Sequence, residues 1–367
     1  MAIKITKIKL DSKIPVYDLS VENTHSFFAN DVVVHNCEIT LPTQTFDDVN
    51  QAHDPTVALC TLSAINWGKV REPKDFEKPC LLAVRALDAL LDYQEYPLKG
   101  AERHSKMFRP LGVGIIGFAH WMAKNGFKYS DDSALKTLDV YSEAWSYYLT
   151  RASIDLAKEF GPCEGNGLTK YSYGILPIDT RKSDIDTIVP YEERLPWNKL
   201  REDLKIYGIR NSTLMACMPA ETSAQIAGET NGIEPVRSLI TIKQSKDGVL
   251  KQVVPEYRRL KNKYELLWNQ KSPEGYLKIV AVLQKYIDQT ISCNVSYNPE
   301  FYPDNQLPMS EMIKHLLLSY KLGIKTHYYL NTNDGQSEYN ADKMIAVSQN
   351  QIDNGDDDAE SCTACKL

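Results

Sequence analysis

The junction His35-Asn36-Cys37 combines three side chains that together can break and remake a peptide bond. An asparagine amide can attack its own backbone carbonyl and cut the chain by forming a succinimide, and His35 is placed to protonate the departing amide. Cys37 carries a thiol that can accept an acyl group before the cut. The tripeptide by chance is usually inert, so its meaning depends on the sequence around it.

A second set of residues has redox character. Cys362 and Cys365 form a C-x-x-C pair. A single pair supplies too few ligands for a structural zinc site. A thioredoxin-like site would need a strand before the pair and a helix after it, and the sequence predicts neither. A mobile dithiol fits the pair better. Cys60 lies in the apolar stretch "ALCTL", where a cysteine is more often a small buried hydrophobe. Tyr328 and Tyr329 are adjacent, and such pairs usually serve packing.

The composition indicates a globular protein with a large core. Hydrophobic residues make up 43% and charged residues 25% of the 367 residues, and this length predicts roughly two or three structural units. No apolar run approaches the ~20 residues of a membrane span, and the N-terminus lacks the apolar region of a secretory signal. The eight cysteines are irregularly spaced, which argues against a secreted disulfide framework. We therefore predict a cytoplasmic protein with no membrane partner.

The negative charge is concentrated at the C-terminal end. The formal net charge is −6, and acidic residues dominate from residue 336 onward. The preceding part is close to neutral, so nothing marks it as a nucleic-acid binder. We predict that residues 336–367 form a flexible, disordered acidic tail.

Hydrophobic periodicity separates the rest of the chain into two zones. Residues 1–36 alternate with period two and predict an all-β segment, with a turn at residues 30–31 in "SFFANDVVVH". Beyond it, helical spacing predicts helices over 81–91, from 130 or 131 to 161, over 276–291, and from a Ser310 cap to Gly323. The apolar stretches between them predict strands: "VALCTLSAI", "LGVGIIGF", "STLMACMP" and "IKTHYYLN". This alternation indicates an α/β layer or barrel.

The segment "VYDLSVENTHSFFANDVVVHN" ends at Asn36 and resembles the C-terminal splicing motif of inteins. The resemblance implies a HINT-type all-β fold of which residues 1–36 are only the last piece, so a separate protein would carry the N-terminal intein fragment. Cys37 would take over the acyl group, Asn36 would cyclise with help from His35 and His25, and an S-to-N shift would complete trans-splicing. The alternative is a degenerate or chance β-hairpin.

From Cys37 onward the chain resembles the C-terminal half of the large (alpha) subunit of class I ribonucleotide reductases. The matching stretches include "CEITLPT", "VALCTLSAINWG", "RNSTLMACMPAETSAQI", "TNGIEP", "SKDGVLKQVVP" and "KTHYYLNTNDG". The resemblance implies that residues 37–335 form the C-terminal half of a ten-stranded α/β barrel. Residues 336–367 would be its flexible tail, and the N-terminal regions that bind ATP and dNTP effectors are absent.

The resemblance assigns chemistry to two residues near the start of this half. Glu38 matches the glutamate that acts as base toward the ribose 3′-hydroxyl, although an isolated glutamate is usually a surface residue. Cys60 matches one of the two cysteines that reduce the 2′-carbon and end as a disulfide. The family places its partner in the missing half, so Cys60 could not complete a turnover alone.

The stretch "MPAETSAQ" follows a predicted strand and should open a helix, where N–H groups and hydroxyls can surround a phosphate. The family holds the diphosphate of a ribonucleoside diphosphate substrate there. The resemblance implicates Ala220 through its backbone, Glu221 near the ribose, and Thr222 and Ser223. Serine is common in the family where this chain has Ala220, and ordinary helix capping is the alternative for these residues.

The C-terminal residues match the family's radical and redox machinery. Tyr328 and Tyr329 resemble the stacked pair that relays a radical from a small subunit, whose di-metal centre and tyrosyl radical would be the cofactor; we expect no cofactor bound to this chain. Cys362 and Cys365 resemble the tail dithiol that reduces the active site and is recharged by thioredoxin or glutaredoxin. The family often spaces that pair more widely.

The sequence departs from the family at the junction. The family has Asn-x-Cys-x-Glu, with the radical cysteine two places before the glutamate, whereas Cys37 directly precedes Glu38. We therefore predict that the partner's last extein residue is the radical cysteine and that the unspliced chain is inactive. The alternative is a non-splicing module that docks non-covalently onto another reductase half. Split genes with inteins would suit a phage-infected host cell.

Overall fold

The structure, a computed structural model, describes residues 26–29, 32–35, 57–245 and 248–333. The strands in this part of the chain are β1 (Ser26–Ala29), β2 (Val32–His35), β3 (Thr61–Asn66), β4 (Leu111–Ile116), β5 (Ile240–Ser245), β6 (Gly248–Val253), β7 (Val295–Tyr297) and β8 (Leu330–Thr332). The α-helices are α1 (Glu77–Tyr93), α2 (Lys99–Phe108), α3 (Phe118–Asn125), α4 (Leu135–Phe160), α5 (Trp197–Tyr207), α6 (Glu221–Ile226), α7 (Tyr257–Leu260), α8 (Glu274–Gln284) and α9 (Met309–Leu322). None of these helices is both long and apolar enough to cross a lipid bilayer.

The chain divides into two compact units, Met1–Cys37 and Glu38–Leu367. In the first unit, β1 and β2 pair antiparallel, with Ser26 opposite His35 and Ala29 opposite Val32. The hairpin predicted for "SFFANDVVVH" is therefore confirmed. The other strands predicted within residues 1–36, and the predicted tail at 336–367, lie outside the described residues.

Five neighbouring segments of the second unit run parallel to one another. β3 pairs with β4. Val113 of β4 forms a bridge to Met215 in the third segment, and Cys217 of that segment forms a bridge to Ile291 in the fourth. The segment that begins at Ile291 continues into β7, which pairs with β8. Helices connect and cover these segments, so the α/β prediction is confirmed for the described residues.

The predicted strand "STLMACMP" is linked to its neighbours by isolated bridges instead of a regular ladder. The cause is the Asp288 carboxylate, which accepts the N–H groups of Leu214 and Met215 at 2.7 and 2.9 Å. Backbone donors that bond a side chain are not available to a neighbouring strand. By contrast β4 is buried along its whole length, as expected for a central parallel strand.

An aromatic cluster fills the space between the strands and the helices. The Trp67 ring lies 5.0 Å from Phe76, 5.7 Å from Trp121 and 6.2 Å from Trp145 between centroids. Each ring buries on the order of 150–250 Å² and prefers tilted or edge-on contacts. The cluster thereby joins α3 and α4 to the segment that follows β3.

Two helix ends were predicted correctly and three other boundaries were not. α4 ends before Gly161 and α9 before Gly323, both with positive φ (82° and 87°). α4 begins later than predicted because the Asp131 carboxylate accepts the Ser133 N–H at 2.8 Å and forms a turn. α9 begins at Met309, so Ser310 lies inside the helix and does not cap it.

α8 ends at Gln284, several residues before the predicted end at 291. The Lys325 ammonium donates to the carbonyl oxygens of Ile287, Asp288 and Gln289, at 3.1, 2.9 and 2.7 Å. Directly after Gln284, the N–H groups of Tyr286 and Ile287 bond the carbonyls three residues back, at 3.0 and 3.4 Å, and the three carbonyls that follow point toward Lys325 instead of along a helix. The chain then leaves α8 to enter the parallel array.

An ion network with a buried centre and a partly exposed Arg194 fastens α4 to the end of α8. Lys285 Nζ lies 2.6 Å from Asp139 Oδ1, and Arg194 bonds both Asp139 and Glu143 at 3.0 Å. Asp139 also accepts the Tyr286 hydroxyl at 2.9 Å. A buried ion pair stabilises little overall, but removing one partner leaves an uncompensated charge.

We predict that Lys285→Met lowers the free energy of unfolding by about 3–5 kcal/mol, measured by urea denaturation, because it removes one partner of a buried pair. Lys278→Met is the matched control. Lys278 pairs with Asp132, whose side chain is 62% exposed, so its loss should cost at most about 1 kcal/mol. Equal losses in the two variants would contradict this reading of the network.

Candidate active site

A cavity of about 390 Å³ is lined by residues at the start of α6 and by residues of the segment that precedes β8. Its walls include Glu221, Glu234, Asn294, Tyr328 and Tyr329. The volume falls within the range of small-molecule sites, which are concave and carry a few convergent polar groups. The structure thus brings the predicted substrate-binding glutamate and the predicted tyrosine pair to one cavity.

α6 spans Glu221–Ile226, so the predicted helix opening in "MPAETSAQ" is confirmed. The Ala220 N–H donates to Asn231 Oδ1 at 2.9 Å. That donor is therefore engaged in the free chain, and the phosphate contact through the Ala220 backbone stays a prediction. Thr222 and Ser223 are exposed in the first turn of the helix, where backbone N–H groups lack intrahelical acceptors.

The rings of Tyr328 and Tyr329 form a tilted stack, with 45° between their planes. Their ring centroids are 4.0 Å apart, and the Tyr328 hydroxyl donates to the Tyr329 hydroxyl at 3.1 Å. Adjacent side chains of a regular strand point to opposite faces of the sheet, so this contact requires an irregular backbone. The predicted strand "IKTHYYLN" is in fact regular only from Leu330 to Thr332.

Asn294 was missed in the sequence analysis, and no local pattern marks it. Its Oδ1 accepts the Tyr329 N–H at 3.1 Å, and its Nδ2 donates to Glu234 Oε1 at 2.5 Å. A backbone N–H can only donate, which fixes the amide oxygen toward Tyr329 and the amide nitrogen toward the carboxyl. The amide therefore connects the tyrosine backbone to Glu234.

Glu234 has an unusual electrostatic environment. Burial raises the pKa of its carboxyl above the ordinary value near 4.5, while the Asn294 amide and the Arg237 charge oppose the rise and the Glu221 charge adds to it. Desolvation disfavours the charged form of a carboxyl. The cavity therefore contains a carboxyl that holds its proton more tightly than a solvent-exposed glutamate.

Cys60 is partly exposed and precedes β3, but it is not among the cavity walls. A Cβ atom built on Gly112 would lie 3.3 Å from the Cys60 sulfur, so the thiol lies close over Gly112, where a larger residue would crowd it. Ala64 is four residues after Cys60 and lies on the same face of the strand, where it packs against Ile116 and Ala220. Cys60 thus shares a sheet face with the entrance to α6, about 13 Å away along the strand.

The other predicted site residues cannot be placed in the same way. Glu38, Cys362 and Cys365, as well as the splicing residues His25, Asn36 and Cys37, lie outside the described residues. His35 is the last residue of β2. Among the described residues, no group of three or more His, Cys, Asp or Glu side chains could hold a metal ion.

A sequence model described as "Ribonucleotide reductase, barrel domain" matches residues 21–265 and 257–330. The chain belongs to the ribonucleotide reductase family. Ribonucleoside-diphosphate reductase alpha subunits are among its similar proteins: 51% identical over 332 residues in Buchnera aphidicola (Baizongia pistaciae), 49% over 325 in Haemophilus influenzae and 41% over 338 in Enterobacteria phage T4. The alignments cover 90%, 87% and 90% of this chain and 42%, 43% and 42% of those proteins.

This ribonucleotide reductase family member therefore spans less than half the length of the curated relatives it matches. The matched barrel domain covers the parallel array and the cavity at its edge up to residue 330, the first residue of β8. The match begins at residue 21, inside the segment predicted to be an intein piece. The family is thus established for the array, and the intein resemblance rests on its own motif.

We predict that the difference in free energy of unfolding between Glu234→Gln and the unchanged protein shifts in favour of the variant as the pH rises above about 4.5. Because the folded-state pKa is raised, the Glu234 contribution is fully present below the unfolded pKa and is lost as the pH rises through the folded value. Glutamine cannot ionise and escapes this loss. Urea unfolding of both proteins from pH 4 to pH 8 measures the difference, and a difference constant with pH would contradict the prediction.

Proposed function

We propose that this chain becomes part of a ribonucleoside-diphosphate reductase catalytic subunit after protein trans-splicing joins it to a separate N-terminal half. The subunit would reduce ribonucleotides to deoxyribonucleotides by thiyl-radical chemistry for DNA synthesis. The observation that carries the proposal is the stacked Tyr328-Tyr329 pair in the wall of the cavity that also contains Glu221. A radical relay and a substrate site must meet in such an enzyme, and the residues proposed for these two roles line one cavity.

The tyrosine pair supports a relay on physical grounds. A phenol can lose an electron and a proton together, and transfer between two phenols needs close contact of the rings and a path for the proton. The 4.0 Å ring separation and the 3.1 Å hydrogen bond between the hydroxyls supply both. Tyr329 is 57% exposed, which would let it receive the radical from a small subunit with a di-metal centre and tyrosyl radical.

Substrate binding is proposed at the start of α6. Thr222 and Ser223 would hold the diphosphate through their hydroxyls and backbone N–H groups, and Glu221 would face the ribose. The support is the position of α6 at the cavity and the exposure of both hydroxyl residues. Ala220 would contribute through its backbone, and its N–H, which donates to Asn231 Oδ1 in the free chain, would change partner when the diphosphate binds.

The remaining steps need residues from both halves. Glu38 would act as base toward the ribose 3′-hydroxyl, and Cys60 would reduce the 2′-carbon together with a cysteine of the N-terminal half. Cys362 and Cys365 would then reduce the resulting disulfide and be recharged by thioredoxin or glutaredoxin. By the family resemblance, effector ATP and dNTP would bind the N-terminal half.

Trans-splicing is proposed from the junction His35-Asn36-Cys37. Two features support it: the boundary between the two compact units falls after Cys37 in the chain, and the hairpin pairs His35 with Ser26, the residue after His25. Splicing would also restore the family's Asn-x-Cys motif, since the radical cysteine would arrive as the partner's last extein residue. The second candidate is a non-splicing chain that docks onto the other half and keeps residues 1–36.

Mixing the chain with a protein that ends in the matching N-intein should give a ligated product and a free peptide of residues 1–36, both seen by intact mass. Asn36→Ala should abolish release of the peptide, because the alanine side chain cannot cyclise. Asn50→Ala, on the retained side of the junction, should splice normally. Persistence of residues 1–36 on every product would favour the docking alternative.

In the ligated enzyme, we predict that Tyr328→Phe abolishes turnover and leaves substrate binding intact, because phenylalanine cannot give up a proton with its electron. Turnover is measured as deoxyribonucleotide formation, and binding by equilibrium titration with a ribonucleoside diphosphate. Tyr173→Phe, at a 72% exposed tyrosine outside the cavity walls, should retain activity. Retained turnover in Tyr328→Phe would refute the relay.

A further inference from the structure

The backbone around the tyrosine pair departs from a regular parallel ladder by one residue. Val295 is paired with Leu330, and the Val295 N–H donates to the Tyr329 carbonyl at 2.8 Å. In a regular ladder with this register, the Cys293 carbonyl would accept the Tyr329 N–H. It accepts the Tyr328 N–H instead, at 2.8 Å.

This shift deprives the Tyr329 N–H of its ladder acceptor. Asn294 Oδ1 takes that N–H at 3.1 Å, so a side chain supplies the acceptor that the neighbouring strand does not. The shift also explains how two consecutive rings can share one side of the chain. In a regular strand the two rings would alternate between faces, and their hydroxyls could not lie 3.1 Å apart.

Glu234 holds the Asn294 amide in the orientation that this bond requires. The Nδ2 group donates to Glu234 Oε1 at 2.5 Å, and Glu234 belongs to the loop between α6 and β5. The loop that follows the proposed diphosphate helix is therefore connected through one amide to the tyrosine backbone. Both residues line the same cavity.

We propose that Asn294, oriented by Glu234, is a positioning residue that keeps Tyr328 and Tyr329 stacked in the geometry needed for radical transfer. Its consequence for turnover rests on the proposed function, whereas the stacking itself is a property of this chain. Neither residue transfers the radical or touches the reacting atoms in this role. Without the Asn294 acceptor, the Tyr329 N–H would return to the Cys293 carbonyl and the rings would separate.

The stacking is tested on the unligated chain with a single 3-fluorotyrosine at position 329, observed by fluorine NMR. The ring of Tyr328 shifts the fluorine resonance, and Tyr328→Leu gives the reference value for an unstacked ring. Asn294→Ala should move the resonance to that reference. Asn294→Ser, whose side chain is too short to bridge the two partners, should do the same and serves if the alanine variant fails to fold.

Asn298 provides the matched control on the same segment. Its Oδ1 accepts the Glu300 N–H at 3.2 Å and its Nδ2 donates to the Trp268 carbonyl at 2.9 Å, so it makes the same two kinds of bond away from the tyrosines. Asn298→Ala should leave the fluorine resonance in place. Glu234→Gln should also leave it in place, because glutamine still offers an oxygen to the Asn294 amide, whereas Glu234→Leu should displace it.

An unchanged resonance in Asn294→Ala, or an equal displacement in Asn298→Ala, would overturn the proposal. In the ligated enzyme, Asn294→Ala should lower kcat by about 10²-fold, the effect of a misplacement near 1 Å, with KM for the ribonucleoside diphosphate unchanged. A raised KM with unchanged kcat would overturn the positioning role. Absence of turnover in the unsubstituted ligated enzyme would refute the proposed function, while the fluorine measurement would still decide the stacking.

Discussion

The arrangement of the last three parallel segments depends on the carboxylate of Asp288. It accepts the N–H groups of Leu214 and Met215 from one segment and the hydroxyl of Tyr171 at 2.9 Å. Burial raises the pKa of this carboxyl, while the backbone donors and the Lys325 charge oppose the rise. The same Lys325 bonds three carbonyls around Asp288 and begins the segment that leads to the tyrosine pair. One carboxylate thus aligns the strand before the diphosphate helix with the strand that carries the phenols.

The features that sequence predicted well are those with local or periodic causes. The helix at residues 81–91, the strand in "LGVGIIGF", and the helix ends at Gly161 and Gly323 follow from apolar spacing and from glycines with positive φ. The helix opening at Glu221 also follows from its local motif. Predictions of this kind need no knowledge of the rest of the molecule.

The features that sequence did not predict depend on contacts between distant residues. The turn after α8 is held by Lys325, about forty residues away, and the strand around Met215 is irregular because of Asp288. Asn294 is an ordinary asparagine until Glu234 and Tyr329 are placed on either side of it. Hydrogen bonds of this kind do not produce a periodic pattern in the sequence. The site residues that depend on them can therefore be identified only from the structure. The residues assigned by family resemblance were predicted from motifs, which carry information that periodicity does not.

The exposure of Tyr329 would make its oxidised ring accessible to solutes, whereas buried tyrosines of the fold are protected from them. An aromatic ring that is 57% open to solvent and stacked on a second phenol would, once oxidised, meet small reductants and dissolved thiols long before a slow chemical step was over. Under the proposed function, the surface around Tyr329 must be shielded by another protein throughout each cycle. The free chain would then carry no lasting tyrosyl radical. The oxidised ring would be protected from reductants in solution only inside the complete assembly.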